Sequence, residues 1–308
     1  MLLITMLLVS FLTFLAFEIV SGDPVRNMLG TDATPAQVAA LRTQLGLDRP
    51  FLARYAHWLF GFFSGDLGIS YSYRQPVWNL IASKLEITLL LSLLSFLLIV
   101  LISIPLGIFS YQWVDGPFDG VRTTFNQLCM AVPPFFTGIL LSWGFGVVLR
   151  WFTPGDFPDL HRQWGPALRH LFFAAVCLSI PRIAMTVRMM RSTVVSEMNK
   201  AYVRTAISRG NTRGEVLFRH VLKNSLVSVV TFLGQTLAEL VGAGIVVEQV
   251  LGIPGLGRFL VTSISHRDYP VVQAIVVILA FWVVLAGTLA DVVNQWIDPR
   301  LRLGEDDE

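Results

Sequence analysis

The chain has 308 residues, of which 54% are hydrophobic and 14% are charged. Because soluble domains carry about 25% charged residues, this composition predicts a membrane protein and argues against an ordinary soluble domain. The net charge of +2 does not point to an acidic or basic partner, nucleic acid included, since the basic residues are unevenly placed along the chain.

The sequence lacks the spacing patterns of common metal and catalytic sites. Cys129 and Cys177 both lie in apolar runs, where core packing is the usual role, and the five histidines are scattered singly. There is no GxxxxGK[ST] to bind ATP, and there is no HExxH, GxSxG or pair of intramembrane Asp. We therefore expect no catalytic residue, no metal site and no cofactor bound by this chain.

The first predicted elements are a transmembrane helix and a long polar segment. Residues 1–20 are nearly all apolar and long enough to span a bilayer, and they lack the basic start and cleavage site of a signal peptide. Residues 21–84 follow as an external segment, in which the aromatic-rich stretch 48–63 is typical of an interfacial helix. The sequence leaves open whether this segment contacts a substrate or only forms a packed cap.

Three apolar spans come next, predicted at residues 85–111, 123–149 and 168–190. Two adjacent prolines, Pro133 and Pro134, should kink or break the span at 123–149. Such a bend in a pore-lining helix acts either as a hinge or simply as a packing feature, so Pro133 is a candidate pathway residue.

An arginine lies inside the span at 168–190. Arg182 is costly in lipid, so it should face protein, water or an interface. It belongs to IPRIAMTVRMMRS, which leads into a basic cluster. We therefore expect Arg182 near the cytoplasmic end of its helix, in a structural role.

The basic cluster is the most polar stretch between the apolar spans. Eight Lys or Arg fall between Arg188 and Lys223 against two acids, which predicts a cytoplasmic segment. Gly210 is typical of a positive backbone angle, and Thr212 followed by Glu215 is the pattern of a capping box. The stretch therefore predicts a helix, a glycine turn and a second helix. A docking loop and an ordinary loop whose charges only set topology are both consistent with it.

Residues 225–247 are predicted as the fifth span, with Gly242 among its small residues and Glu239 as its acid. An ionisable residue at that depth is a candidate for the translocation pathway, although a hydrogen-bonded packing residue is the alternative. Residues 248–268 return outside, where Ile253, Pro254, Gly255 and Gly257 predict a tight turn. Residues 270–293 form the sixth predicted span.

Six spans place both termini on one side, and the basic cluster makes that side cytoplasmic. Two features do not support this orientation. The predicted inner turn at 115–120 has no Lys or Arg, and the predicted external segment carries six.

Seven motifs occur in order along the chain: GDP, LGLDRP, GDLG, RTAISRG with HVLK, PGLGR, RDYP and DPR. This ordered set, from about residue 22 to 304, resembles permease subunits of ABC importers of the dipeptide, oligopeptide and nickel branch. RTAISRG is similar to the EAA loop of those permeases. Arg204, Thr205 and Ala206 occupy its first places, Gly210 its glycine and His220 part of its end.

The resemblance implies an all-α, polytopic membrane protein of six transmembrane helices, similar to type I ABC-importer permeases. A five-helix core would span residues 85–304, with a coupling loop at about 190–224 and an acidic tail at 305–308. That loop would dock on an ATP-binding subunit. The implied external gate, near a binding protein, contains Pro254, Gly255, Gly257 and Arg258.

The implied partners are a second related permease, two ATP-binding subunits that hold ATP and magnesium, an extracytoplasmic substrate-binding protein and the bilayer of a bacterial-type cell membrane. Di- and oligopeptides are the first substrate hypothesis, and nickel or a metal chelate is the alternative. A stand-alone secondary transporter is the rival class, although the sequence has no inverted repeat and no pair of intramembrane acids for a coupling ion.

Overall fold

The computed structural model describes residues 2–20, 25, 29, 34–44, 46–112, 114 and 116–297. Regular structure in these residues is helical, apart from an isolated antiparallel bridge between Ile69 and Pro76. The all-α prediction is therefore confirmed. Three stretches singled out above lie outside the described residues: GDP at 22–24, DPR at 298–300 and the acidic tail at 305–308.

Among the described residues of the N-terminal part, three helices have both ends defined. They are α1, Leu2–Val20; α2, Pro35–Gln44; and α3, Phe51–Phe63. Aromatic rings of α3 pack against Phe11 and Phe14 of α1, and Arg54 of α3 forms an ion pair with Glu18 of α1. The aromatic-rich stretch predicted to be an interfacial helix is therefore helical and packs against the first helix.

Further helices follow α3. They are α4, Val77–Gln112; α5, Asp119–Ala131; α6, Pro134–Leu141; α7, Trp164–Met198; α8, Ala201–Ser208; α9, Arg213–Val216; α10, Leu222–Leu251; α11, Leu256–Ser265; and α12, Tyr269–Ile297. A π-helical segment, Ser142–Val148, extends α6. A second one, Leu217–Val221, joins α9 to α10 without a break, so that Arg213–Leu251 runs as one helix of 39 residues.

Among the described residues, four helical stretches are long and apolar enough to cross a membrane: Val77–Tyr111, Trp164–Met198, Arg213–Leu251 and Tyr269–Ile297. Helices α5 and α6 form a bent pair, which makes a fifth span if it is counted as one, and the apolar part of α1 is shorter. The chain is thus a polytopic membrane protein. The count of six spans stays a prediction.

Helix α4 differs from the span predicted at 85–111, because it begins at Val77. The polar first turns contain Lys84, which ended the apolar run in the sequence. Val77 and Ile81 are fully buried, and burial of these two apolar side chains stabilises the polar first turns as part of the helix.

The span predicted at 123–149 is not one helix. Helix α5 ends at Ala131, α6 starts at Pro134, and the two parts meet at an angle of 92°. Pro133 lies at the break with an extended backbone, φ −65° and ψ 141°. Because proline lacks an N–H, the helical ladder ends there, and the predicted break is confirmed.

The chain divides into two compact units. One comprises residues 1–88 with 254–282, and the other comprises residues 89–253 with 283–308. Glycines set the closest helix contacts inside the second unit. A Cβ built on Gly107 of α4 would lie 2.5 Å from Cβ of Met190 in α7, and one built on Gly234 of α10 would lie 2.0 Å from Cβ of Ala290 in α12. Glycine at these positions lets neighbouring helices approach closely, as in many membrane bundles.

Candidate functional site

Helix α10 exposes a stripe of polar and small residues along one side. Its members recur every three or four positions from 224 to 242, which is the spacing of one helical face. The next turn exposes the apolar Val246, and Gln249 follows it. We call this stripe the α10 polar face: Asn224, Ser228, Thr231, Gln235, Glu239, Gly242 and Gln249. Glu239 and Gly242, the pathway candidates from the sequence, both belong to it. The sequence analysis missed the other five, although their helical spacing was a readable signal.

The opposite side of α10 is packed and largely apolar, although the helix also buries three polar residues: Ser225, Thr236 and Glu248. Val229, Leu233, Leu240, Val247 and Leu251 are each no more than 5% exposed. The helix therefore packs through its apolar side and presents its polar side outward, the reverse of what a lipid-facing helix needs.

Glu239 forms an ion pair with Arg182 of α7, with Arg182 Nη1 lying 2.5 Å from Glu239 Oε2. The Arg182 side chain is 23% exposed and the Glu239 side chain is 55% exposed. The sequence analysis treated these residues separately and did not predict the pair. Each charge is therefore partnered, while more than half of the Glu239 side chain remains open.

The ion pair lies near the middle of its helices, which corrects the expectation that Arg182 lies near the cytoplasmic end. At one end of the helix pair, His170 Nε2 donates to Leu251 O at 3.2 Å. Arg182 follows His170 by 12 positions and Glu239 precedes Leu251 by 12, which is about 18 Å at 1.5 Å per residue. At the other end, Asn224 Nδ2 donates to Tyr202 OH at 3.4 Å.

An open cavity of about 390 Å³ lies further along the same two helices, on the Asn224 side of the ion pair, and neither Arg182 nor Glu239 lines it. It is lined by Met130, Met185, Arg188, Met189, Ser192, Thr193 and Phe232. Met185 is one turn from Arg182 on α7, and Phe232 is two turns from Glu239 on α10, so both follow the same helix faces as the pair. Pro133, the third pathway candidate, lies at the helix break three residues beyond Met130 and does not line this cavity.

The segment between α7 and α10 has the predicted helix, glycine turn and helix. Helix α8 ends at Ser208, and Gly210 follows with φ +89°. Thr212 then caps α9 through a capping box: its side chain accepts from Glu215 N, and Glu215 accepts from Thr212 N. These local features are confirmed.

The proposed coupling residues lie at the surface of this segment. Arg204, Thr205, Gly210, Thr212, Glu215 and His220 are exposed, and Ala206 is half-buried. Thr205, Ala206 and His220 converge on an open cleft of about 320 Å³, whereas Arg204 does not line it. The sequence analysis missed the other lining residues, Tyr202, Arg209 and Asn211.

The segment after α10 differs from the predicted turn. Helix α11 begins at Leu256, so Gly257 is helical and the turn prediction was wrong at that position. The left-handed residue is Gly252, with φ +71° at the end of α10. A Cβ added at Gly252 would lie 2.5 Å from Cα of Gly155, and this close approach also requires glycine at position 252. Of the four proposed gate residues, Gly255 and Gly257 are buried, and Pro254 and Arg258 are half-buried.

Asp268, from the RDYP motif, holds a loop in the first unit. Its carboxylate accepts from Ser70 Oγ, from Tyr71 N at 3.0 Å and from Ser72 N at 3.3 Å. Burial, with a smaller contribution from the Asp268 charge, raises the pKa of Tyr71. These contacts tie the GDLGISY segment to the RDYP segment. The sequence analysis noted both motifs but not their contact.

The fold thus defines an all-α, multi-pass membrane protein. Residues 103–303 match the family described as "Binding-protein-dependent transport system inner membrane component". Residues 1–93 match the family described as "Binding-prot-dependent transport system membrane comp, N-term". The chain therefore belongs to the binding-protein-dependent transport permeases, a family of transport components of the inner membrane.

Several curated relatives match over nearly the whole chain. A putative peptide transport system permease protein of Brucella abortus (strain 2308) is 38% identical over 298 residues, covering 96% of this chain and 95% of the relative. A probable peptide ABC transporter permease protein of Sinorhizobium fredii is 33% identical, covering 96% and 95%. The oligopeptide transport system permease protein AppB of Bacillus subtilis is 33% identical, covering 95% and 94%. The resemblance to ABC-importer permeases of the peptide branch is confirmed.

Proposed function

We propose that this chain is the permease subunit of an ATP-driven importer of di- and oligopeptides, and that the α10 polar face lines its translocation pathway. The observation that carries the proposal is that face itself. Polar and charged side chains are expensive against lipid and normally face the bundle interior or water. A polar stripe exposed along a largely apolar helix therefore needs an aqueous path or a protein partner on that side.

The helix that carries this face also carries the proposed coupling segment. Arg213–Leu251 is continuous, so a displacement at the capped start of α9 reaches Glu239 through one rigid element. In the proposed complex, ATP-binding subunits dock at Gly210 and the adjoining cleft, and their closure moves α9–α10. This is a two-state element biased from outside the chain.

The proposed assembly contains a second related permease, two ATP-binding subunits and an extracytoplasmic substrate-binding protein. ATP and magnesium bind to the ATP-binding subunits. The Pro254–Arg258 segment lies on the binding-protein side, and both termini lie in the cytoplasm of a bacterial-type cell. The names of the relatives support peptides as the substrate class, while nickel or a metal chelate is the alternative cargo.

Co-purification tests this proposal when the chain is expressed together with the products of neighbouring genes. Two variants are compared with the unmodified chain. Gly210→Val places a branched side chain at φ +89°, which costs about 1–2 kcal/mol. Gly214→Val is the matched control, because it lies in the same loop and a Cβ added there would have nothing within 4 Å.

The unmodified chain and Gly214→Val should bring down an ATPase, and Gly210→Val should lose it. Reconstituted complexes should then take up dialanine only with ATP. Retention of the ATPase by Gly210→Val would remove Gly210 from the coupling role and leave the importer intact. Uptake by the chain without an ATPase would favour the stand-alone transporter, and uptake of nickel but not of dialanine would favour the alternative cargo.

A further inference from the structure

We propose that the Arg182–Glu239 pair is a binding point for the two charged termini of a short peptide on its way through the membrane. Glu239 binds the peptide ammonium group, and Arg182 binds its carboxylate. This inference rests on the proposed function and specifies how the pathway recognises its cargo.

The position of the pair fits a transit site. The pair lies about 18 Å from the His170–Leu251 contact and Glu239 lies about 22 Å from Asn224, at 1.5 Å per residue. A ligand that enters at either end of the helix pair therefore travels along the proposed aqueous pathway before it reaches these charges. The pair is also open to a ligand, because the Glu239 side chain is 55% exposed and lies on the α10 polar face.

Charge balance favours a zwitterion at this point. A charge away from water is stable only when it is paired. A peptide with free termini brings one positive and one negative group, so both Arg182 and Glu239 exchange one partner for another and no charge is left alone. A bare divalent cation would satisfy Glu239 but would leave Arg182 unpaired and repelled.

Size and shape are consistent with the same ligand. Two extended residues span about 7 Å, so a dipeptide bridges the two side chains once they separate. The cavity on the Asn224 side of the pair is lined by Met130, Met185, Met189 and Phe232, together with the polar residues Arg188, Ser192 and Thr193. Methionine side chains are flexible and polarisable, which suits a surface that accepts many different side chains. The site would thus recognise the charged termini of the peptide and accept many different peptide side chains.

A cysteine introduced by Gly242→Cys reports on both the pathway and the ligand. Gly242 is one turn from Glu239 on the α10 polar face, and a Cβ added there would have nothing within 4 Å, so the substitution should be accommodated. The reporter thiol is placed in the assembled complex in lipid nanodiscs, with Cys129 and Cys177 replaced by Ser. Its alkylation by a charged, water-soluble maleimide is measured with and without millimolar peptide.

Three peptides separate the contributions of the two terminal charges. Dialanine has both, N-acetyl-dialanine lacks the ammonium group, and dialanine amide lacks the carboxylate. With Arg182 and Glu239 in place, dialanine should protect the reporter thiol at about tenfold lower concentration than either blocked peptide, as expected for one charge-assisted contact. Glu239→Gln should weaken protection by dialanine about tenfold and leave N-acetyl-dialanine unchanged. Arg182→Gln should weaken dialanine and leave the amide unchanged.

Two further variants distinguish a loss of charge recognition from a loss of folding. Arg182→Gln with Glu239→Gln leaves no unpaired charge, and all three peptides should then protect equally weakly. Glu18→Gln removes a different Arg–Glu pair, that of Glu18 in α1 with Arg54 in α3, and should keep the tenfold preference. Equal weakening of free and blocked peptides by the single variants would mean that the pair is only structural.

The failures of the two proposals are distinguishable. If the reporter thiol is not alkylated, the α10 polar face does not line an aqueous path, and both proposals fall. If it is alkylated but free and blocked peptides protect it equally, the pathway stands and charge recognition at Arg182 and Glu239 is wrong. If no peptide protects it, the pair is not a peptide site.

Discussion

Helices α4 and α10 are both long and apolar enough to cross a membrane, yet they expose different kinds of residue. The exposed residues of α4 between positions 93 and 109 are all apolar: Leu93, Leu97, Leu101, Ile102, Pro105, Leu106 and Phe109. Its buried residues include Ser92, Ser95 and Ser103. Both helices bury apolar and polar residues, Ile99 with Ser95 in α4 and Leu240 with Glu248 in α10, but only α10 exposes a polar face.

The difference separates two meanings of an apolar span. The total hydrophobicity of a helix indicates that it can enter a bilayer. The distribution of its polar residues indicates which side meets lipid. By that criterion α4 is suited to a lipid neighbour on its outer side, and α10 is suited to water or a partner.

The largest expected effect comes from placing the same acid on each outer face. Leu97 of α4 is 46% exposed and Val246 of α10 is 50% exposed, so the two sites are matched. Leu97→Glu should cost about 2–3 kcal/mol in lipid and sharply reduce the amount of assembled chain, whereas Val246→Glu should assemble normally. The measurement is the amount of folded complex extracted from membranes. Equal losses would remove the distinction between the two faces.

Glycines test the packed and open sides of α10 itself. Gly234→Leu must displace Ala290 and should destabilise the purified complex by about 1–3 kcal/mol, read as a lower thermal midpoint. A Cβ added at Gly242 would meet nothing within 4 Å, so Gly242→Leu should leave the midpoint unchanged while reducing peptide uptake. A lower midpoint for Gly242→Leu would mean that a partner packs against this face.

The smallest effects come from removing single polar groups. Ser95 of α4 donates to Leu91 O at 2.7 Å, so Ser95→Ala should cost up to about 1 kcal/mol of stability and leave uptake unchanged. Gln235→Ala on α10 should leave stability unchanged and lower uptake several-fold. Thermal midpoints and ATP-dependent dialanine uptake are measured on both variants. The reverse pattern would contradict the proposed roles of the two helices.

Features that depend on neighbouring residues were predictable from the sequence. The capping box at Thr212 and Glu215, the turn at Gly210 and the break at Pro133 each arise from local backbone chemistry, and each is present in the structure. Composition predicted a membrane protein, and the all-α class was implied by the family resemblance. Helix ends were less predictable, because α4 continues through a polar turn that buried Val77 and Ile81 hold in place.

Contacts between distant segments could not be predicted. Arg182 and Glu239 are 57 positions apart in the sequence, and their pairing depends on how α7 lies against α10. The same holds for Asp268 and the Ser70–Ser72 loop. Gly252 and Gly257 look alike in the sequence, and only the backbone shows that Gly252 is the left-handed one.

The most direct test of the α10 polar face is a single-cysteine scan of residues 228–249 in the assembled complex, with residues 93–109 of α4 as the comparison. A charged maleimide should react fastest at the positions of the α10 polar face and slowly at 229, 233, 240 and 247, giving a helical period. The α4 positions should all react slowly. Equal reactivity on the two helices, or an unreactive α10, would contradict the proposal that this face lines an aqueous pathway.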